Sequence, residues 1–91
     1  MSLDAATDVD TLHEAVRSIV VEELEIELEE LQDDASFEEE YGADSLSLLA
    51  ITARFENELK IIVPADRVGE MLTYTQVLAV VDEFSGQPTH V

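Results

Sequence analysis

The stretch Gly42-Ala43-Asp44-Ser45-Leu46-Ser47-Leu48-Leu49-Ala50-Ile51-Thr52-Ala53-Arg54-Phe55-Glu56 sets the reading of this 91-residue chain. Gly42 punctuates the segment, and Asp44 is a strong N-cap residue standing before a run with helical spacing. The pattern predicts a helix from about Ser45 to Leu59. Its apolar positions fall in two stripes, Leu46, Leu49, Ala53 and Leu48, Ile51, Phe55. A face that wide marks the central helix of a bundle, packed on more than one neighbour.

Ser45 stands at the mouth of this predicted helix, where the first backbone N–H groups lack partners and the macrodipole amounts to about half a positive charge. A phosphate linked to its hydroxyl would lie over those donors, as anions at helix N-termini commonly do. The competing reading of the same residues is an ordinary helix-start serine with Asp44 as its cap.

On the N-terminal side, Val9, Leu12, Val16, Ile19, Val20 and Leu24 recur at helical spacing and predict a first amphipathic helix, capped by Asp8 or Asp10. Residues 1–8 lack the repeat and are expected to be flexible. Leu24, Ile26 and Leu28 alternate with glutamates, which reads as a helix end followed by an irregular loop. Asp33-Asp34-Ala35-Ser36 is turn-like. Phe37 and Tyr41, isolated large residues in a polar loop, are expected to pin that loop to the core.

On the C-terminal side, Ile61-Ile62-Val63 is too short and isolated for a sheet, and Pro64 suits the start of a short helix ending near Met71. Thr73 or Thr75 would cap a last helix carrying Val77, Leu78, Val80, Val81 and Phe84, closed by Gly86 and Pro88. The tail, 85–91, is expected to be flexible. The sum is an all-α bundle over residues 9–84, three main helices plus one short helix, with a long loop between the first and the second.

Composition narrows the function. A chain of this length buries only about 60% of its unfolded surface, so its one core is small and an enzyme-sized pocket is hard to enclose. No run approaches the ~20 apolar residues that span a bilayer, and the acidic opening, Met1 to Asp10, predicts no signal peptide and a cytoplasmic protein. Cysteine is absent, which excludes disulfides and thiolate chemistry from the chain's own side chains. Acidic residues outnumber basic ones 22 to 4, for a formal net charge of −18. Such a chain repels nucleic acid and anionic membranes and is steered toward basic surfaces. Arg17, Arg54, Lys60 and Arg67 are the basic residues, while residues 22–40 hold eleven carboxylates.

Gly42-Ala43-Asp44-Ser45-Leu46 resembles the phosphopantetheine attachment signature of acyl carrier proteins, and the resemblance runs over about residues 9–84. Leu12 to Leu24 is similar to that family's first helix, Ala35-Ser36-Phe37 to its loop element, and Ile62-Val63-Pro64 to the junction before its short helix. The resemblance implies a monomeric carrier without catalytic activity. Its 4'-phosphopantetheine arm would be taken from coenzyme A and held at Ser45, with Asp44 and Leu46 flanking it. Implied partners are a phosphopantetheinyl transferase, a ketosynthase, an acyltransferase and other biosynthetic enzymes.

Within the family, the segment from Ser45 to Glu56 looks more like discrete carriers of bacterial polyketide synthases than like fatty-acid carriers. The latter usually carry carboxylates where this chain has Ser47 and Ala50. Candidate partner contacts are Glu56, Glu58, Asp66 and Glu70, with a merely solvated surface as the alternative. Leu46, Leu49, Ala53, Ile62, Met71 and Leu72 are candidates to line a cleft for part of an acyl chain, with plain core packing as the competing role.

Other classes fit less well. A serine hydrolase pairing Ser45 with His13 or His90 lacks Gly-x-Ser-x-Gly. His13-Glu14 opens like a zinc motif, but Arg17 stands where its second histidine belongs, so no metal site is expected. An acidic protein that mimics a polyanion accounts for the charge but not for Asp44-Ser45-Leu46 at a helix start. The crowding of eleven carboxylates into nineteen residues predicts that added sodium chloride or magnesium raises the melting temperature. Thermal melts across a salt series check this, and an unchanged midpoint would show the repulsion already relieved.

Overall fold

The computed structural model describes residues 4–85, with side chains from residue 10 onward. Five α-helices follow in order: α1 Asp4–Leu24, α2 Phe37–Tyr41, α3 Ser45–Arg54, α4 Ala65–Val68 and α5 Tyr74–Ser85. α3 continues as one π-helical turn, Phe55–Leu59, and a 3-10 turn, Leu28–Glu30, lies in the loop after α1. The bundle is thus all-α, with α1, α3 and α5 as its long members.

The core draws on each long helix. Val16, Ile19, Val20, Val21 and Leu24 come from α1, Ile51 and Phe55 from α3 and its π turn, and Tyr74, Val77, Val80 and Val81 from α5. Val68 of α4 is also buried, as are Leu31, Ala43, Ile61 and Met71 from the connections. α3 packs on both α1 and α4. Only its Leu48, Ile51, Phe55 stripe turns inward, however; Leu46 is 75% exposed, Leu49 48%, and Ala53 is exposed as well. The wide apolar face is therefore half core and half surface.

Boundaries differ from the sequence expectation where propensity or capping acts without periodicity. α1 begins at Asp4, ahead of both expected caps, Asp8 and Asp10. The stretch includes Ala5 and Ala6, the best helix formers, which a search for an apolar repeat does not register. Of the segments expected to be flexible, 1–8 is helical from Asp4 and 85–91 begins with the helical Ser85; residues 1–3 and 86–91, including Gly86, Pro88 and His90, lie outside the described residues.

α1 ends in a Schellman pair. Glu25 N–H donates to Glu22 O at 3.3 Å and Ile26 N–H to Val21 O at 3.0 Å, with Glu25 in the left-handed region at φ 60°. Lys60 takes the same conformation after the π turn. Glycine would be the usual occupant of both positions.

The long loop is fastened at several points. Phe37 is 1% exposed, and its N–H donates to Leu72 O at 2.9 Å. Tyr41 Oη donates to Glu30 O at 2.7 Å and accepts from Gln32 N–H at 2.9 Å. Thr75 N–H donates to Asp33 O at 3.1 Å. Phe37 and Tyr41 belong to a short helix rather than to an irregular loop. Ser36 caps it by accepting from Glu39 N–H, and Gly42 closes it at φ 68°. The Ser36-x-x-Glu39 spacing is the signal that marks this helix in the sequence.

Ion pairs join the helices outside the core. Arg54 on α3 reaches Glu22 at 2.8 Å and Glu23 at 3.4 Å on α1, and Glu58 at 2.8 Å on its own π turn. Arg67 on α4 bonds Glu70 and, with both terminal nitrogens, Glu83 on α5. His13 Nε2 lies 2.9 Å from Asp82 Oδ1, and Tyr74 Oη donates to His13 O, tying α5 to α1.

Because Phe37 is the loop's main apolar anchor, Phe37→Ala should cost about 3–5 kcal/mol, a large part of the roughly 5–15 kcal/mol a domain of this kind has. Phe37→Leu should cost less than about 1.5 kcal/mol. Urea unfolding measures both, and equal small losses would mean that the loop does not depend on this ring.

Candidate functional site

α3 starts where Gly42 and Ala43 end the preceding turn. Gly42 N–H donates to Glu38 O and Ala43 N–H to Phe37 O, each at 3.1 Å, and Ala43 is buried. The chain then extends through Asp44, at φ −129° and ψ −174°, and enters the helix at Ser45. Asp44 Oδ1 accepts from Ser47 N–H at 3.0 Å and from Ser47 Oγ at 3.1 Å. Ser45 is therefore the first helical residue, and its side chain is exposed. Gly42 is exposed too, and a Cβ placed on it would meet nothing within 4 Å.

The electrostatics follow from this start. The N–H of Ser47 foremost, then its hydroxyl, hold the Asp44 carboxyl below the ordinary aspartate value. Ser45 and Leu46 occupy the first turn, whose N–H groups have no partner inside the helix. A phosphodiester on Ser45 Oγ fits here: the hydroxyl is in solvent, the helix dipole favours an anion, and no acidic residue lies in the first turn of α3.

Beside Ser45 opens a cleft of about 330 Å³, lined by Phe37, Glu38, Ala43, Asp44, Ser45, Leu48, Gly69, Met71 and Leu72. It lies on the surface between α2, α3 and the segment after α4. Of the six residues considered for an acyl cleft, Met71 and Leu72 line it, Met71 fully buried and Leu72 half exposed. Leu46, Leu49, Ala53 and Ile62 do not; all four are exposed, Ile62 to 65%. Leu46 and Leu49 point away because the helical turn that brings Leu48 inward carries them outward. Phe37, Ala43, Leu48 and Gly69 are lining residues that the sequence reading assigned elsewhere or not at all. Leu48 was already visible as part of the inward stripe.

The four candidate partner contacts are spread over the surface. Glu56 and Asp66 are exposed. Glu58 is held by Arg54, which lowers its carboxyl pKa, and Glu70 bonds Arg67. A second cavity, of about 420 Å³, lies between α1 and α5 and is lined by Asp10, His13, Glu14, Arg17, Asp33, Tyr74 and Leu78. Burial raises the Tyr74 phenol pKa there, and the Arg17 guanidinium, 5.5 Å from the ring centroid, partly offsets it. No described helix is long and apolar enough to cross a membrane.

A carboxyl held below its ordinary pKa adds stability that is complete above the unfolded value and is lost as pH falls through the folded one. Asp44→Ala should therefore lower the melting temperature at pH 7, and the gap from the parent protein should close as pH falls toward 2. Melts over that range read the gap, and a constant difference would detach Asp44's charge from the cap.

Comparison with known proteins bears on the same residues. The family model described as "Phosphopantetheine attachment site" matches residues 14–84. An acyl carrier protein of Akkermansia muciniphila is 33% identical over 76 residues, which cover 84% of this chain and 95% of that protein. One of Zymomonas mobilis is 34% identical over 70 residues, 77% of this chain and 90% of the relative. These matches support a carrier without catalytic activity of its own, with 4'-phosphopantetheine as its covalently attached cofactor. With an exposed serine at a capped helix start in a small helical bundle, the chain belongs to the acyl carrier protein family.

Proposed function

We propose that Ser45 carries the 4'-phosphopantetheine arm and that the protein tethers acyl intermediates on it as a discrete carrier in polyketide biosynthesis. The exposure of Ser45 as the first residue of α3 carries the attachment reading. A phosphopantetheinyl transferase would load the hydroxyl, and a ketosynthase, an acyltransferase and other biosynthetic enzymes would use the product. When attached, the arm supplies a terminal thiol for thioesters, which this cysteine-free chain lacks. Asp44 fixes the helix start, Leu46 lies exposed beside the attachment point, and the first-turn N–H groups stabilise the phosphodiester. The tether raises the local concentration of its cargo at each partner's active site.

The polyketide assignment rests on α3. Its first turn has no acidic residue, Ala50 follows one turn after Leu46, and Arg54 closes the helix while engaged by Glu22, Glu23 and Glu58. Glu56, Glu58, Asp66 and Glu70 serve as contacts for basic partner surfaces, and Met71 and Leu72 shelter the first atoms of the cargo. The protein acts as a cytoplasmic monomer.

Incubation with coenzyme A, magnesium and a broad-specificity phosphopantetheinyl transferase should add the mass of one arm to the protein, and Ser45→Ala should abolish the addition. Intact-mass spectrometry reads both. Unmodified protein in a reaction that loads a control carrier would overturn the assignment and favour an acidic polyanion mimic. Offering the loaded protein to polyketide and fatty-acid ketosynthases separates the pathways, since faster turnover by the fatty-acid enzyme would count against the polyketide reading.

A further inference from the structure

The start of α3 is capped differently from the other helix starts with a side-chain cap. At α2, Ser36 Oγ accepts one bond, from Glu39 N–H at 3.2 Å; at α5, Thr73 Oγ1 accepts one, from Gln76 N–H at 3.2 Å. At α3 a single carboxylate oxygen takes two donors from one residue, the N–H and the hydroxyl of Ser47. The N–H bond is the ordinary cap, which any residue but proline at position 47 would supply. The hydroxyl bond is particular to a side chain that can donate.

That second bond acts on the residue joined to the acceptor serine. Held from two directions, Asp44 Oδ1 has one arrangement relative to the first turn, and Ser45, the next residue in the chain, inherits a fixed backbone. A loosely held Asp44 carboxylate would instead be free to compete for the first-turn N–H groups, the same donors an incoming phosphate needs. We propose that Ser47 is a positioning residue for loading of the arm, its hydroxyl tying down Asp44 on the Ser47 N–H so that Ser45 Oγ and the other first-turn donors stay available to the phosphate. This rests on Ser45 being the attachment point. In the loading step a bond forms between Ser45 Oγ and the phosphorus that bears the pantetheine in coenzyme A. The bond from that phosphorus to the bridging pyrophosphate oxygen breaks, adenosine 3',5'-bisphosphate leaves, and the hydroxyl proton passes to the transferase or solvent. Ser47 touches none of the reacting atoms.

The test is steady-state loading of the full chain by a phosphopantetheinyl transferase with coenzyme A and magnesium, well below the melting temperature of each variant. Ser47→Ala should lower kcat about tenfold, the scale of one hydrogen bond to a charged group, and leave the KM for coenzyme A unchanged. Ser47→Thr, which keeps the donor, should restore kcat. Ser47→Asp, which keeps the N–H but sets a like charge against Asp44, should lose at least as much as Ser47→Ala. In Ser47→Ala the Asp44 carboxyl, followed by NMR, should also titrate at a higher pH than in the parent. A Ser47→Ala protein that melts lower yet loads with the parent kcat would overturn the proposal, leaving Ser47 a stabilising residue alone. A parent protein that is not loaded, or a Ser45→Ala protein that is, would instead sink the attachment reading beneath it.

Discussion

A core this small has to hold together a chain whose carboxylates outnumber its basic groups 22 to 4. The placing of those few cations reflects that constraint. Arg54 meets Glu22, Glu23 and Glu58 where the acidic run leaves α1, so one guanidinium joins the ends of α1 and α3. Arg67 does the corresponding work between α4 and α5 through Glu70 and Glu83. Arg17 lies over the Tyr74 ring, and Lys60 donates to Asn57 O in the turn that ends the π segment. Exposed pairs of this sort contribute little singly, but here each one also relieves repulsion among its acidic neighbours.

The same constraint shapes the loop between α1 and α3, which holds most of the acidic run. Backbone and aromatic contacts, rather than cations, order it: Phe37 is buried, the Tyr41 hydroxyl bridges Glu30 and Gln32, and Thr75 bonds Asp33. An ordered loop delivers Gly42 and Ala43 at a set angle, and that angle decides where α3 and its first serine begin.

Much of this was legible in the sequence because it rests on local rules. Asp44 before an apolar-periodic run marked α3, Pro64 marked the start of α4, and Thr73 was one of two caps considered for α5. What the sequence did not reveal depends on tertiary context. Nothing in Leu46, Leu49 and Ala53 distinguishes them from the Leu48, Ile51, Phe55 stripe until neighbours occupy only one side of the helix. Glu25 and Lys60 end their segments in a conformation usually betrayed by glycine, so those ends carried no punctuation. At the site, the serine and its cap were readable from five residues, whereas the cleft required Phe37, Leu48, Gly69, Met71 and Leu72 to be brought together from three parts of the chain.

The outward leucines of α3 have a consequence for behaviour in bulk solution. Leu46, Leu49 and Ala53 form an uncharged strip that water solvates poorly and that a second molecule of the same kind would readily cover. Long-range repulsion between molecules of net charge −18 opposes that encounter. Ions that screen the carboxylates within one molecule also shorten the reach of the force between molecules. Ionic strength therefore acts with opposite signs through the repulsion that keeps copies apart and through the repulsion that strains each fold.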